Sequence, residues 1–194
     1  NQNDPQAQYN LGAIYYEGKY AERDMNKAIH YFSIAANQNL MQAQYNLGTI
    51  YYEGKYVECD INKAIHYYSL AANQNDPQAQ YNLGAIYYEG KYAERNINKA
   101  IHYFSIAANQ NLMQAQYNLG IIYNEGKHVE CDISKAIYYY SLAANQNDLQ
   151  SQFNLAKIYD DEKCALHDIN KAIYYYSLAA NHNFVLELFI MNVN

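Results

Sequence analysis

The sequence is poor in features that would give it chemistry of its own. Lys and Arg total 13 of 194 residues and do not cluster, against 19 Asp and Glu, for a net charge of −6. Nucleic acid and anionic membranes both call for concentrated positive charge, so this balance argues against either as a partner. No apolar run approaches the roughly 20 residues needed to span a bilayer. There is no Gly-rich phosphate loop, no His-Glu-x-x-His and no Cys-x-x-Cys. No Ser/His/Asp set stands apart from the rest of the pattern. Catalytic, cofactor and metal sites are therefore not expected.

Cysteine is scarce too: Cys59, Cys131 and Cys164 are the 3 in the chain. Cys59 and Cys131 occupy the same phase of a repeat, two repeats apart. Helices pack at roughly 8–10 Å, so that separation exceeds the ~7 Å Cα limit for a disulfide. Unpaired thiols in odd number favour a reducing, cytoplasmic compartment. The lack of any Asn-x-Ser/Thr acceptor is compatible with that. The chain opens at Asn1 in mid-pattern without Met, which reads as a fragment, so the missing leader carries no weight.

What is present is repetition. The stretch Ala7 to Gly18 returns from Ala43, Ala79 and Ala115, and in worn form from Ser151, with a fixed period of 36 residues. A period of about 20–50 residues signals stacked repeats and outranks any local reading. The units are 1–36, 37–72, 73–108, 109–144 and a degenerate 145–182, followed by a tail or capping segment, 183–194. Repeats one and three, and two and four, are closest to each other, a 72-residue superperiod that implies duplication of a pair.

Within repeat one, Asp4-Pro5 opens a helix, since Asp caps free N–H groups and Pro loses nothing at the first helical position. Ala7, Leu11, Ile14 and Tyr15 form its apolar stripe. Gly12 costs about 1 kcal/mol in mid-helix and implies close approach of a second helix. Gly18 ends the first helix in the left-handed conformation. Asp24 caps a second helix to about Ala36, with a stripe of Ala28, Tyr31, Phe32, Ala35 and Ala36. Asn39 then supplies the left-handed turn. Neither helix hides its stripe alone, so the units must stack. In repeat five Ala156 replaces the mid-helix Gly and Glu162 the loop Gly. From Phe184 the tail has the composition of a short helix that packs on repeat five.

The residues Ala7, Leu11, Gly12, Tyr15, Gly18, Asp24, Lys27, Ala28, Tyr31, Phe32, Ala35 and Ala36 resemble the signature of the Sel1-like repeat family, relatives of the tetratricopeptide repeats. The likeness covers all five units. It departs at Asn39, where the family usually has Gly, and at the repeat-five loop. It implies an all-α fold, a right-handed α/α superhelix (solenoid), with first helices lining a concave face. It also implies a non-catalytic scaffold whose partner is a protein or peptide segment in the concave groove. An alternative is a targeting or adaptor array within a longer signalling or ubiquitin-ligase-associated chain. A β-lactam-binding hydrolase fits less well, because that subgroup pairs cysteines in each repeat.

One asparagine line persists through all five units: Asn10, Asn46, Asn82, Asn118 and Asn154. It looks like the position where related tetratricopeptide solenoids present Asn to a bound peptide. An amide has donors and an acceptor, so it pairs with both groups of an extended backbone. Beside it run Tyr9, Tyr45, Tyr81, Tyr117 and Phe153, and one turn on Tyr16, Tyr52, Tyr88, then Asn124 and Asp160. Tyrosines of this kind suit interfaces, though packing between repeats explains them equally. His30, His66 and His102 are one per repeat, too far apart to share a metal. Lys27, Lys63, Lys99, Lys135 and Lys171 read as solvated helix residues. Near-identical units with an open repeat face also allow end-to-end self-association.

Overall fold

In the computed structural model the described residues are 4–91 and 93–191, with side chains described through residue 180. Among them are ten α-helices and no strand. The first helices of the five hairpins are α1 (Pro5–Glu17), α3 (Met41–Glu53), α5 (Pro77–Glu89), α7 (Met113–Glu125) and α9 (Leu149–Asp160). The second helices are α2 (Met25–Asn37), α4 (Ile61–Asn73), α6 (Ile97–Asn109), α8 (Ile133–Ala144) and α10 (Ile169–Met191). The chain divides into two compact units, Asn1–Tyr103 and Phe104–Asn194.

The expected caps form. Asp24, Asp60 and Asp132 accept from the N–H of Lys27, Lys63 and Lys135 at 2.9–3.0 Å, and Asn96 does the same for Lys99. Each hairpin closes on one backbone bond: the N–H of Asp24, Asp60, Asn96, Asp132 and Asp168 donates to the carbonyl of Tyr15, Tyr51, Tyr87, Tyr123 and Tyr159. The N–H bonds hold the carboxyls of Asp24, Asp60, Asp132 and Asp168 below the ordinary value of 3.8, with the neighbouring lysines adding to the effect. A depressed folded-state pKa gives stability that is present above the unfolded value and lost as pH falls through the folded one. Acidification below about pH 4 should therefore destabilise the chain. Replacing all four aspartates by Asn should flatten that loss in denaturation curves compared across pH.

The second helices end as the Asn reading predicts. Asn39, Asn75, Asn111 and Asn147 have φ of 64–67°. The N–H of Asn39 and Leu40 reach back to the carbonyls of Ala36 and Ala35, at 2.9 and 3.1 Å. Substituting Asn75 by Ala, which has no preference for left-handed backbone, should cost about 1–2 kcal/mol by chemical denaturation. Asn75→Gly should be nearly neutral.

Between hairpins the core is built from two half-stripes. Ala28, Phe32, Ala35 and Ala36 of α2 meet Ala43, Leu47 and Ile50 of α3. Ala64, Tyr68, Ala71 and Ala72 of α4 meet Ala79, Leu83 and Ile86 of α5. In the second unit Ala136, Tyr140 and Ala144 meet Leu155, Ile158 and Tyr159. Leu47, Leu83, Leu119 and Leu155 are fully buried, whereas Leu11, on the first helix, is 39% exposed.

Gly48 has a specific neighbour. A Cβ placed there would lie 2.6 Å from the Tyr68 ring, and at Gly12 and Gly120 the Phe32 and Tyr140 rings stand equally close. The ring of the second helix thus lies flat on the first. In repeat five Ala156 carries that Cβ. Tyr176, the corresponding ring, is half-buried, and its hydroxyl donates to Asp160 at 3.3 Å.

Repeat five also ends differently. α9 stops at Asp161 with φ −72° and ψ 104°, not in a left-handed cap, because Glu162 stands where the other units have Gly. The backbone of α10 continues unbroken to Met191, so the segment from Phe184 prolongs the helix rather than starting a separate one. The capping contacts expected of that segment lie outside the described residues.

Candidate functional site

In the first unit the predicted aromatics sit around the buried ring of each hairpin. Tyr9 and Tyr16 flank Phe32, with centroids at 5.5 and 6.3 Å. Tyr45 and Tyr52 flank Tyr68 at 5.9 and 6.5 Å. Tyr81 and Tyr88 are half-buried on α5. In the second unit Tyr117 lies 6.0 Å from Tyr140, and Phe153 meets Tyr176 edge-on at 5.8 Å. Asn124 is half-buried and Asp160 exposed. These rings serve packing on one side and remain partly open on the other.

The asparagines stand at the junctions. Asn10 is exposed and accepts from the Gln6 amide at 3.1 Å. Asn46 is half-buried and its Nδ2 donates to the Tyr9 hydroxyl of the preceding repeat at 3.4 Å. Asn82 is half-buried beside the Tyr68 hydroxyl and pulls its pKa down. Asn118 is half-buried. Asn154 is half-buried and pulls the Tyr117 pKa down as a polar neighbour. Burial pushes the Tyr68 hydroxyl's pKa up, against the pull of its bonds to Thr49 and Asn82. Burial first and the nearby Asp148 carboxylate second push Tyr117 up. These phenols stay protonated at neutral pH and act as hydrogen-bonding groups.

Two side-chain systems went unnoticed in the sequence. The first is a buried glutamine line. Gln44 is 1% exposed, and its Nε2 donates to the Ala36 carbonyl at 3.2 Å. Its Oε1 accepts from Gln74 of α4's terminus at 2.7 Å. Gln116 and Gln146 repeat this in the second unit, at 3.2 and 2.7 Å. Their regular spacing beside a buried Ala was the available signal. Exchanging Gln44 for Leu should cost about 1 kcal/mol, because the Ala36 carbonyl keeps only the Asn39 N–H and Gln74 loses its buried acceptor. Thermal unfolding of the variant checks this.

The second system adds ring contacts to lysines that are, as expected, solvated helix residues. Lys27 is 57% exposed, yet its Nζ lies 3.4 Å from Asp24 and 5.0 Å from the Tyr15 ring centroid. Tyr15 stacks on Tyr31 at 5.8 Å and 6°. The same stacked pair recurs in every repeat, with Lys63, Lys99, Lys135 and Lys171 over Tyr51, Tyr87, Tyr123 and Tyr159. A long stem laid over a ring keeps its charge in water, so exposure and contact coexist.

His30, His66 and His102 each pack edge-on against the following Tyr. Among the described residues no group of three or more His, Cys, Asp or Glu is placed to hold a metal ion. Cys59, Cys131 and Cys164 are free thiols. No helix among the described residues is long and apolar enough to cross a membrane.

A family model for the Sel1 repeat matches residues 5–40, 42–76, 77–112, 114–148 and 149–184. The chain belongs to the Sel1 repeat family. Its fold is therefore the all-α, α/α-solenoid class of Sel1 repeats. A Sel1 repeat protein from Oxalobacter formigenes is 32% identical with a TM-score of 0.78, over 93% of this chain and 74% of that one. An immunity protein from Pseudomonas aeruginosa is 25% identical with a TM-score of 0.53, over 93% and 69%. Cysteine rich protein B of Helicobacter pylori is 25% identical with a TM-score of 0.52, over 69% of this chain and 96% of its own. No curated protein matches the chain. Sel1 repeat proteins are in general protein-interaction scaffolds without catalysis of their own.

Proposed function

We propose that this Sel1 repeat protein is a non-catalytic scaffold that grips an extended peptide or protein segment. The contact line is Asn10, Asn46 and Asn82 with Tyr9, Tyr16, Tyr45, Tyr52, Tyr81 and Tyr88 in the first unit. Asn118, Asn154 and Tyr117 are the corresponding residues in the second unit.

The observation that carries the reading is the Tyr9–Asn46 bond. It uses one N–H of a half-buried amide and holds the group in one orientation. The second N–H and the carbonyl oxygen are then preset to pair with a peptide backbone, which lowers the ordering cost of binding. Main-chain pairing of this kind carries affinity, and the flanking rings add apolar contact.

The test is a peptide library selected on the 194-residue chain, followed by calorimetry of the enriched peptides. The double variant Asn46→Ala/Asn82→Ala should weaken binding at least about tenfold, or ~1.4 kcal/mol, with helicity unchanged. Equal affinity for parent and variant would remove the amide line from the mechanism.

A further inference from the structure

The five first helices carry a single basic residue. α1, α3, α5 and α7 have none, and α9 has Lys157. Its repeat counterparts are Ala13, Thr49, Ala85 and Ile121. On the second helices Lys27, Lys63, Lys135 and Lys171 each pair with a cap aspartate at 3.1–3.6 Å. Lys157 makes no ion pair among the described residues. It is exposed, and its ammonium lies 6.0 Å from the Phe153 ring centroid.

Lys157 lines a cleft of about 200 Å³ in the second unit, with Asn124, Ile133, Asn154, Ile158 and Asp161 among the other walls. This cleft is the place of a missing ring. One superperiod earlier the counterparts of Asn124, Ile133 and Ile158 are Tyr52, Ile61 and Ile86. There Tyr52 and Ile61 pack on the buried cluster that holds Ile86. Asn124 is too short to fill the same volume, so the cleft stays open. Asn154 belongs to the amide line, so the cleft opens directly off the contact line proposed above.

We propose that this cleft takes an acidic side chain, Glu or Asp, of the bound segment, with the Lys157 ammonium as its counter-ion. The inference rests on the peptide-binding reading above. The methylene stem lies on Ile133 and Ile158, and the Asn124 amide offers a further donor to the carboxylate. A side chain fits better than a chain end, because a terminal carboxylate would take the main-chain place at Asn154. Asp161 shares the cleft, but one of its carboxylate oxygens is committed to the Lys163 N–H at 3.0 Å. Its charge opposes the incoming one, which favours a single carboxylate over a phosphate dianion.

The test is an array of random peptides with amidated C-termini, probed with the 194-residue chain, beside a second array with free C-termini. Bound peptides should share Glu or Asp at one fixed position in both arrays. Exchanging that residue for Gln or Asn should weaken binding to the parent about three- to fivefold by calorimetry, the scale of a partly exposed ion pair. The same exchange should change nothing for Lys157→Met. Parent affinity should fall as NaCl rises, and that of Lys157→Met should not. Asn124→Tyr, which restores the ring, should abolish the acidic preference while keeping the affinity for the Gln peptide. Asp161→Asn, which keeps the turn acceptor, should tighten the acidic peptide. Peptides that bind without an acidic preference overturn this inference and leave the scaffold reading standing, a result that needs no variant of the chain. An acidic preference that survives Lys157→Met, or one confined to free C-termini, also overturns it. A chain that binds no peptide on either array overturns both readings.

Discussion

Leu83→Asp should lower stability by about 3–5 kcal/mol, the penalty of a buried charge with no partner. The side chain is fully buried between α4 and α5. Its neighbours there are Ala64, Tyr68, Ala71 and Ala72, none of which carries a positive charge to offset a carboxylate. Leu11→Asp places the same change in the same thirteen-residue helix, at a site 39% exposed. It should cost at most about 1 kcal/mol, chiefly the lower helix propensity of Asp. Urea denaturation compares the two directly. Because repeat stability is a sum of unit and neighbour terms, the Leu83 variant should also show its loss first in the α4 and α5 amides by hydrogen exchange. Equal effects at both positions would mean that stacking does not supply the core.

Gly48→Ala should destabilise, against the ordinary rule for helices. Exchanging a mid-helix Gly for Ala normally gains about 1 kcal/mol. Here the added methyl would meet the Tyr68 ring at 2.6 Å. The ring is 1% exposed, lies between Tyr45 and Tyr52, and donates to Thr49 at 3.2 Å, so its retreat breaks several contacts together. Overpacking of this kind costs about 1–3 kcal/mol, enough to reverse the sign. Repeat five provides the control within the same chain. Ala156→Gly removes a fully buried methyl, so it should lose about 1 kcal/mol of helix propensity and, in addition, the packing of that methyl. Thermal unfolding of both variants checks the pair. A stabilised Gly48→Ala would show that the ring has room to move.

The sequence was most informative where one residue type does one job at a fixed phase. The Ala43, Leu47 and Ile50 stripe reads as buried because no other face of the helix is apolar. Gly12 reads as a contact point because its cost would otherwise be unexplained, and Phe32 is the partner. Asn39 reads as a left-handed turn because Asn is among the few non-glycine residues that adopt it.

It was less informative where a residue does two jobs. Gln44 is polar, and polar residues are ordinarily assigned to solvent. Only the position of the Ala36 carbonyl makes it a buried strut. Lys27 is exposed and packed at once, which hydropathy does not distinguish. The exposure of Leu11 was hidden for a different reason, since it depends on rank in the array and not on the residue itself. Along the asparagine line the residues announce their regularity, but the bond from Asn46 to Tyr9 joins neighbouring repeats and needs coordinates to be seen.

The parallel tyrosine pairs give the protein an optical property. Tyr15 with Tyr31, Tyr51 with Tyr67, Tyr87 with Tyr103, Tyr123 with Tyr139 and Tyr159 with Tyr175 lie at 5.8–6.0 Å and within 6° of parallel. Rings so close couple their electronic transitions, and no tryptophan is present to mask the signal. Near-ultraviolet circular dichroism therefore carries one chromophore pair per hairpin. Removing a single pair by mutation would turn the spectrum into a readout of which hairpin melts first.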